Sequence, residues 1–492
     1  MSATAGSRAR KRNVSSQSNC SADLISSPAV AATIPPIVAP PDAPLGPPTT
    51  PLPSRTVALA AAAAPAALRL GPANAGDHYP IHDFLVGVFR APSSSEFQAQ
   101  LEEPFYEPTD RLIVKHGTRI VAHLRQFHRE VRLGPLVMPM TGLAELATLS
   151  PYRSRGLASA LLAAAEDRMR DEGAAAGFVR TTVPELFARR GWVVWGRHCY
   201  SVARTRDILA QWSAMEQERQ GRETAARGES KSLPLSTRIW RHVERGALMR
   251  LYTANTEDAF GALRRSDDYW RWLVSRRGYD SIYVVIEGRD KLDLDETPVI
   301  GYAVTKAGRI VELMTDPKRP YAVGQLLTRV CGDAIERDIE IVRLDAPPDA
   351  PLHRVFNAAG GQFRNRPTDG GQTMMAKILD PLNFLRRLEP LLLNRARQFE
   401  APACELGFVV GEHRFRLVYN RRQVRIDSGR VGRAYVTCGT ADLMQLLLGQ
   451  LDCQAAIREK QLTVSTRTTI DLLTTFFPRI PFWRPPWDEL PA

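Results

Sequence analysis

Clustered cysteines, long apolar runs and a lopsided charge are what this chain lacks. Its six cysteines, Cys20, Cys199, Cys331, Cys404, Cys438 and Cys453, lie far apart, with no Cys-x-x-Cys pair and no Cys–His ligand spacing. That pattern argues against a disulfide framework or a zinc site and predicts reduced thiols. His123 and His128 are five residues apart on one expected strand, so they point to opposite faces and make no metal pair. No stretch reaches the roughly 18–20 apolar residues that a membrane-spanning helix needs. The run VALAAAAAPAAL (57–68) is short and broken by Pro65. The basic RARKR (8–12) leads into Ser, Asn and Gln rather than an apolar core, so no secretory leader is expected. A cytoplasmic chain with no membrane partner follows. The net charge is +12, but residues 1–76 contribute six basic against two acidic side chains. What remains is a mild excess over more than four hundred residues, which reads as a solvated surface and predicts no nucleic-acid partner.

What is present reads as several globular segments, because 492 residues are too many for one core. Residues 1–76 are rich in Ala, Pro and Ser and nearly free of aromatics, and are expected to be disordered. From 77 to 205 the pattern is globular. Residues 110–133 predict two strands turning at Gly117, and LAELATL (143–149) a third. A helix follows with Leu157, Leu161, Ala165 and Met169 inward and Glu166, Asp167, Arg168 and Arg170 toward water. Then come a strand at 177–181, a short helix at 184–190 and one final strand at 192–204. Residues 206–236 predict a charged helix and linker. Residues 237–383 predict a long amphipathic helix ending in DDYWRWLV (267–274), then strands and a helix in an order like that of the first segment, which suggests a diverged duplication. Residues 384–492 alternate strands and helices and close on a proline-pinned tail.

The chemistry concentrates in LATLSPYRSRGLASALL (146–162). A helix start offers about four amides without intrahelical partners, together with the positive end of the dipole. Gly156 and Ala158 carry no side chain large enough to block an anion there, and Arg153 and Arg155 can add charge-assisted contacts. Alone, Arg-x-x-Gly-x-Ala is a weak motif, since a structural glycine at a helix start looks the same. The comparable turn of the second segment, DPKRPYAVG (316–324), lacks the motif and carries Pro320, so no nucleotide is expected there.

With this motif after a hairpin and a third strand, residues 77–205 resemble the GCN5-related N-acetyltransferase (GNAT) superfamily. The whole order resembles its enhanced-intracellular-survival type. The resemblance implies an α+β fold with a GNAT domain, a degenerate GNAT-like second domain (237–383) and a C-terminal domain similar to sterol carrier proteins (384–492). It implies acetyl-CoA as co-substrate, no metal, and acetyl transfer to a primary amine, either a small cationic amine or a lysine side chain. Ala147, Thr148 and Leu149 would bond the pantetheine through their backbone. Arg153, Ser154, Arg155, Gly156, Leu157, Ala158 and Ser159 would hold the pyrophosphate, and Thr182 and Val183 would line the acyl end. The carboxylate of Ala492 would be the catalytic base; Asp488 and Glu489 could replace it or simply face solvent, and the site would be acidic if they and Ala492 approach the cleft. Where the family has a tyrosine as general acid this chain has Phe187, which predicts weakened activity; Tyr152 and Tyr200 are other tyrosines near in sequence. A homo-oligomer is also implied, a hexamer being one size to expect. The competing expectation is a non-catalytic protein that binds coenzyme A or lipid.

Overall fold

The computed structural model describes residues 67–227, 234–288, 290 and 298–490. The expected disordered tail up to residue 66 and the expected base Ala492 lie outside the described residues. Residues 68–76, assigned to that tail from composition, are instead structured. Strand β1 (Leu68–Pro72) runs antiparallel to β2 (Arg111–His116), with Leu68 opposite His116. Asn74 and Asp77 then cap a short turn reciprocally. The β1 side chains are largely exposed, so backbone hydrogen bonds hold this edge strand and no apolar alternation announces it.

Strands β2, β3 (Arg119–Leu133) and β4 (Leu136–Thr148) form a meander, and Gly117 takes φ 63° at the first turn. Alternation sends Leu112, Val114 and Val121 to one face and Ile113 and Ile120 to the other. Helices α1 (His78–Phe89) and α2 (Ser94–Leu101) cover the second face with Ile81, Phe84, Leu85 and Phe97. Helix α3 (Leu157–Asp171) covers the first with Leu157, Leu161, Leu162, Ala165 and Met169. Each fully buried leucine contributes about 1.5–3 kcal/mol. Glu166 departs from the expected solvent face of α3. It is buried and accepts from Arg190, Trp192 Nε1 (2.9 Å) and Lys377 Nζ (2.8 Å). Burial acts to raise its carboxyl, but these donors outweigh it and hold the group below the usual range.

After β5 (Ala176–Thr181) and α4 (Pro184–Ala188), the expected single strand at 192–204 is two strands with different destinations. Strand β6 (Val193–Val194) stays with the first sheet, while β7 (His198–Arg204) leaves it. Helix α5 (Thr205–Arg227) and β8 (Leu235–Ile239) follow. The expected long helix before Val274 is also broken, into α6 (Arg245–Thr256), β9 (Phe260–Leu263) and α7 (Asp267–Ser275), because Leu263 and Phe260 pair with Val131 and Leu133 of β3. Strands β10 (Ser281–Glu287), β11 (Val299–Lys306) and β12 (Arg309–Thr315), helix α8 (Ala322–Glu336), β13 (Ile341–Asp345) and α9 (Leu352–Ala358) build a second sheet of the same plan. It ends in β14 (Gln362–Arg366); β15 (Thr368–Asp369) and β16 (Gln372–Ile378) belong elsewhere.

The two sheets exchange strands. Strand β7 lies between β13 and β14, with Tyr200 opposite Asp345 and Arg364. Strand β16 lies in the first sheet against β5 and β6, with Thr373 opposite Thr181. Lys377 of β16 is the residue that bonds Glu166 of α3, so the exchanged strand is also tied by charge.

Helices α10 (Pro381–Arg387) and α11 (Glu389–Gln398) lead to a third sheet made of β17 (Cys404–Val410), β18 (His413–Tyr419), β19 (Val424–Ser428), β20 (Tyr435–Cys438) and β21 (Leu462–Val464). Its order is β19-β18-β17-β20-β21. Helices α12 (Thr440–Leu447), α13 (Cys453–Arg458) and α14 (Arg467–Phe476) interleave with it. Phe408 stacks on Phe415 (5.1 Å) and meets Phe477 edge-on (5.7 Å), filling the space between sheet and helix. The last segment then returns to the first two sheets. Phe482 lies on Trp195, and the fully buried Trp487 meets Trp270 edge-on. Among the described residues no helix is long and apolar enough to cross a membrane.

Candidate active site

Strands β4 and β5 run parallel from Met140–Ala176 to Leu143–Val179, and pairing stops there. The cause is a bulge in β4. Glu145 takes φ 58°, and the β3–β4 register slips between His123 and Arg125. Beyond it the strands part around a cleft of about 260 Å³, with Ala144–Thr148 on one wall and Val179–Val183 on the other. The β4 backbone groups facing that gap have lost their strand partner. Ala158, Leu186 and Phe187 complete the lining.

At the mouth, Ser154 (φ 60°) and Gly156 (φ 77°) both turn left-handed to aim the chain into α3. The positive φ is what asks for glycine at 156, since a Cβ there would meet no atom within 4 Å. Gly156 is the N-cap of α3 and no side chain caps that end. The first amides of α3 therefore face open space. Arg153, Ser154 and Arg155 are exposed around them. Arg153 Nε donates to the Thr148 carbonyl (3.2 Å), and the Arg155 guanidinium lies 5.2 Å from the Tyr152 ring centre.

Of the residues expected to hold the donor, Ala147, Thr148, Ala158, Thr182 and Val183 face this one cleft. Leu149 is engaged with the protein: its N–H donates to Val121 and its carbonyl accepts from Tyr152. Leu157 anchors α3 in the core and Ser159 is exposed on its first turn. Phe187 is buried edge-on against Trp192 (5.5 Å). Neither nearby tyrosine replaces the missing hydroxyl. Tyr152 is hydrogen-bonded to His116 Nδ1 (2.7 Å), and Tyr200, on β7 of the second sheet, donates to Asp369 of β15 (3.1 Å). A hydroxyl that pattern reading passes over is Thr148 Oγ1, buried on the cleft wall without a partner among the described residues. Only its position beside the splayed strands marks it.

The cleft opens at Leu143, Ala144, Glu145 and Arg180 into a larger chamber of about 530 Å³. Its walls come from β3 (Arg125, Phe127, Arg129), α2, α7 and the returning tail at Arg484 and Asp488–Leu490. Alternation along β3 is the sequence signal that could have found it, because residues 125, 127 and 129 share a face. The expectation of an acidic site is corrected here. Glu103 is clasped by Arg125 and Arg129. Glu145 pairs with the fully buried Arg111 (2.7 Å). Asp488 pairs with Arg265 (2.9 Å), which also holds Glu312 (2.6 Å). Glu489 pairs with Arg180. Burial acts to raise both Glu103 and Glu145, but the neighbouring guanidiniums outweigh it and keep both below the ordinary carboxyl range. Next to Glu145, desolvation pushes the buried His123 imidazole down to about 4, so it is neutral.

A splayed parallel strand pair beside an uncapped helix start, with a chamber behind it, defines a mixed α/β acyltransferase fold of the GNAT kind. Residues 70–195 match the family of acetyltransferase (GNAT) domains, so the chain carries such a domain. No curated protein matches the chain in sequence. Solved structures are similar in fold. A conserved protein of Enterococcus faecalis, described as a probable N-acyltransferase, aligns with TM-score 0.64 at 12% identity over 84% of this chain and 97% of its own. A GCN5-related N-acetyltransferase of Anabaena variabilis gives 0.63 at 16% over 85% and 99%. Eis1 of Mycobacterium abscessus gives 0.57 at 13% over 84% and 98%. At such identities the likeness is one of fold alone.

Proposed function

We propose that this chain is an N-acetyltransferase that moves the acetyl group of acetyl-CoA to a primary amine. The observation that carries the reading is one continuous path: bare α3 amides, the β4–β5 cleft, then the chamber at the β4 bulge. The groups present fit the donor. The amides and Arg155 suit a pyrophosphate, and the unpartnered Thr148 hydroxyl suits the polar arm behind it. Acetyl-CoA supplies an acyl group activated as a thioester.

The chain's own residues place the amine and handle charge. The amine would stand in the chamber at Glu145, where the two spaces meet. As nitrogen bonds to the acyl carbon, the carbon–sulfur bond breaks and its electron pair leaves with sulfur. Unpaired β4 amides face the charge that develops on the acyl oxygen. Phe187 gives no proton, and a thiol of pKa about 8.5 departs tolerably as thiolate. Glu145, held below the ordinary carboxyl range by the guanidiniums of Arg111 and Arg125 against its burial, is too weak a base to take the proton of an alkylammonium of pKa about 10.4. The proton therefore leaves to water. The kcat/KM is expected to rise tenfold per pH unit up to the pKa of the amine used; a plateau reached near pH 6 would show that an enzyme base does the work.

The test is thiol release from acetyl-CoA over a panel of amines, beside calorimetry of coenzyme A. Phe187 favours the second reading, a coenzyme A binder without turnover. Tight binding with no thiol release from any amine would establish it in place of the transferase.

A further inference from the structure

Resting on that reading, we propose that the acceptor carries a carboxylate as well as its amine, and that Arg276 and Arg484 of the chamber receive the carboxylate. Five arginines line the chamber, Arg125, Arg129, Arg180, Arg276 and Arg484, together with five acids. Two of the acids are committed elsewhere. Asp488 pairs with Arg265, which does not line the chamber, and Glu96 caps the backbone N–H of Ser93 (2.7 Å). Glu145 divides itself between the buried Arg111 (2.7 Å) and Arg125 of the chamber (4.0 Å). Glu103, between Arg125 and Arg129, Glu145, partly on Arg125, and Glu489, on Arg180, are left to balance five guanidiniums.

Arg276 and Arg484 fare worst in that division. Arg276 donates to the Trp487 carbonyl (2.7 Å) and lies over the Trp272 ring (4.5 Å). Its Nε is buried with no partner, and among the described residues no carboxylate pairs with it. Arg484 is 4% exposed at its side chain. Its Nε donates to the Gly261 carbonyl (3.1 Å), its Nη1 stands 3.8 Å from a Glu489 oxygen, and its Nη2 is buried without a partner among the described residues. Desolvation pushes both guanidiniums below their ordinary range, against the pull of nearby acids. A buried guanidinium without its full set of acceptors is costly. A planar two-oxygen anion matches its fork. Phe127, Phe178, Leu263 and Trp272 make the rest of the wall apolar. The acceptor class is thus an amino acid-like molecule with an apolar body, its amine at the β4 bulge and its carboxylate on the arginines. A polycationic amine would meet like charge instead.

Acetyl transfer is measured on amino acids and ω-amino acids of graded length, phenylalanine and 6-aminohexanoate among them, each beside its methyl ester. For the best acceptor, kcat/KM should favour the acid over its ester by at least tenfold. Arg276→Gln and Arg484→Gln should collapse that ratio toward one through KM, while Arg484→Lys, which keeps the charge, should retain part of it. Equal use of acid and ester by the wild type, or a ratio untouched by the substitutions, overturns the proposal. Direct titration with phenylacetate, which has no amine, reads the anion site without chemistry. Binding that both Gln variants weaken at least tenfold supports the proposal even if no amine is acetylated and the transferase reading falls. If a chain ending at Leu490 binds phenylacetate tenfold more tightly than the full chain, the arginines serve the protein's own last residues and the proposal fails.

Discussion

Two helix entrances, those of α3 and α8, sit beside the same kind of gap and are furnished in opposite ways. Strands β12 and β13 are parallel partners only at Arg309–Arg343 and Ile310–Leu344, and they part around a space of about 920 Å³ lined by Leu313, Met314 and Val323. The second sheet has thus kept the splay. Its helix start, however, is already occupied. Asp316 accepts from Lys318 N (2.9 Å) and Arg319 (2.6 Å), Glu287 takes Arg319 (2.8 Å) and Tyr321, and the Trp212 ring of α5 lies on Gly324. The first α8 amides, those of Ala322, Val323 and Gly324, donate to the carbonyls of Arg319, Pro320 and Tyr321, so backbone carbonyls and an indole fill the turn where α3 offers bare amides and exposed arginines. Sheet topology is held by many buried contacts and survives sequence change, whereas an anion site depends on a few residues at one turn and is easily filled.

Substitutions at the two entrances can break that contrast. The largest effect is expected from Gly156→Asp, which strains the left-handed turn and puts a carboxylate before the α3 amides. Coenzyme A affinity should fall about 100-fold or more by calorimetry, roughly 2.7 kcal/mol; unchanged affinity would remove the phosphate from this entrance. Next is the acid response of the first sheet. Unfolded histidine takes a proton near pH 6.5 and His123 only at about 4, so folding stability should drop as pH falls through that window. The loss reaches roughly 2 kcal/mol by pH 5. His123→Gln should flatten denaturant-derived stability between pH 6.5 and 5, and an unaltered slope there would count against a neutral buried imidazole. A smaller change is expected from Gly324→Ala, whose methyl would overlap the Trp212 ring. Crowding should cost about 1–3 kcal/mol in urea unfolding and leave coenzyme A binding alone; weakened binding would mean the second entrance matters to the nucleotide. Smallest is Phe187→Tyr. Turnover should change less than tenfold, because sulfur leaves without help; a hundredfold gain would show that a proton donor limits the wild type.

Much of the secondary structure was legible because local patterns carry it. The hairpin turns at Gly117, and α3 has its apolar stripe. Sheet membership was not legible. Residues 192–204 look like one strand, and nothing in their alternation tells that β7 crosses to the second sheet while β6 stays. β9 hid inside a run of helix-like residues because its partner is β3, more than a hundred positions earlier. The donor turn could be read from one continuous stretch. The chamber could not, since its arginines come from positions 125 to 484 and only folding brings them together.

The crossed strands set a limit on how this molecule could be simplified. Cutting the chain after residue 205 would strip the first sheet of the ladder that β16 provides and leave β7 stranded with unmet amides. A gene encoding the front portion alone would yield a sticky, incomplete product. The rear portion is thus irremovable carpentry, needed for the edge it completes whether or not its own gap ever holds a guest.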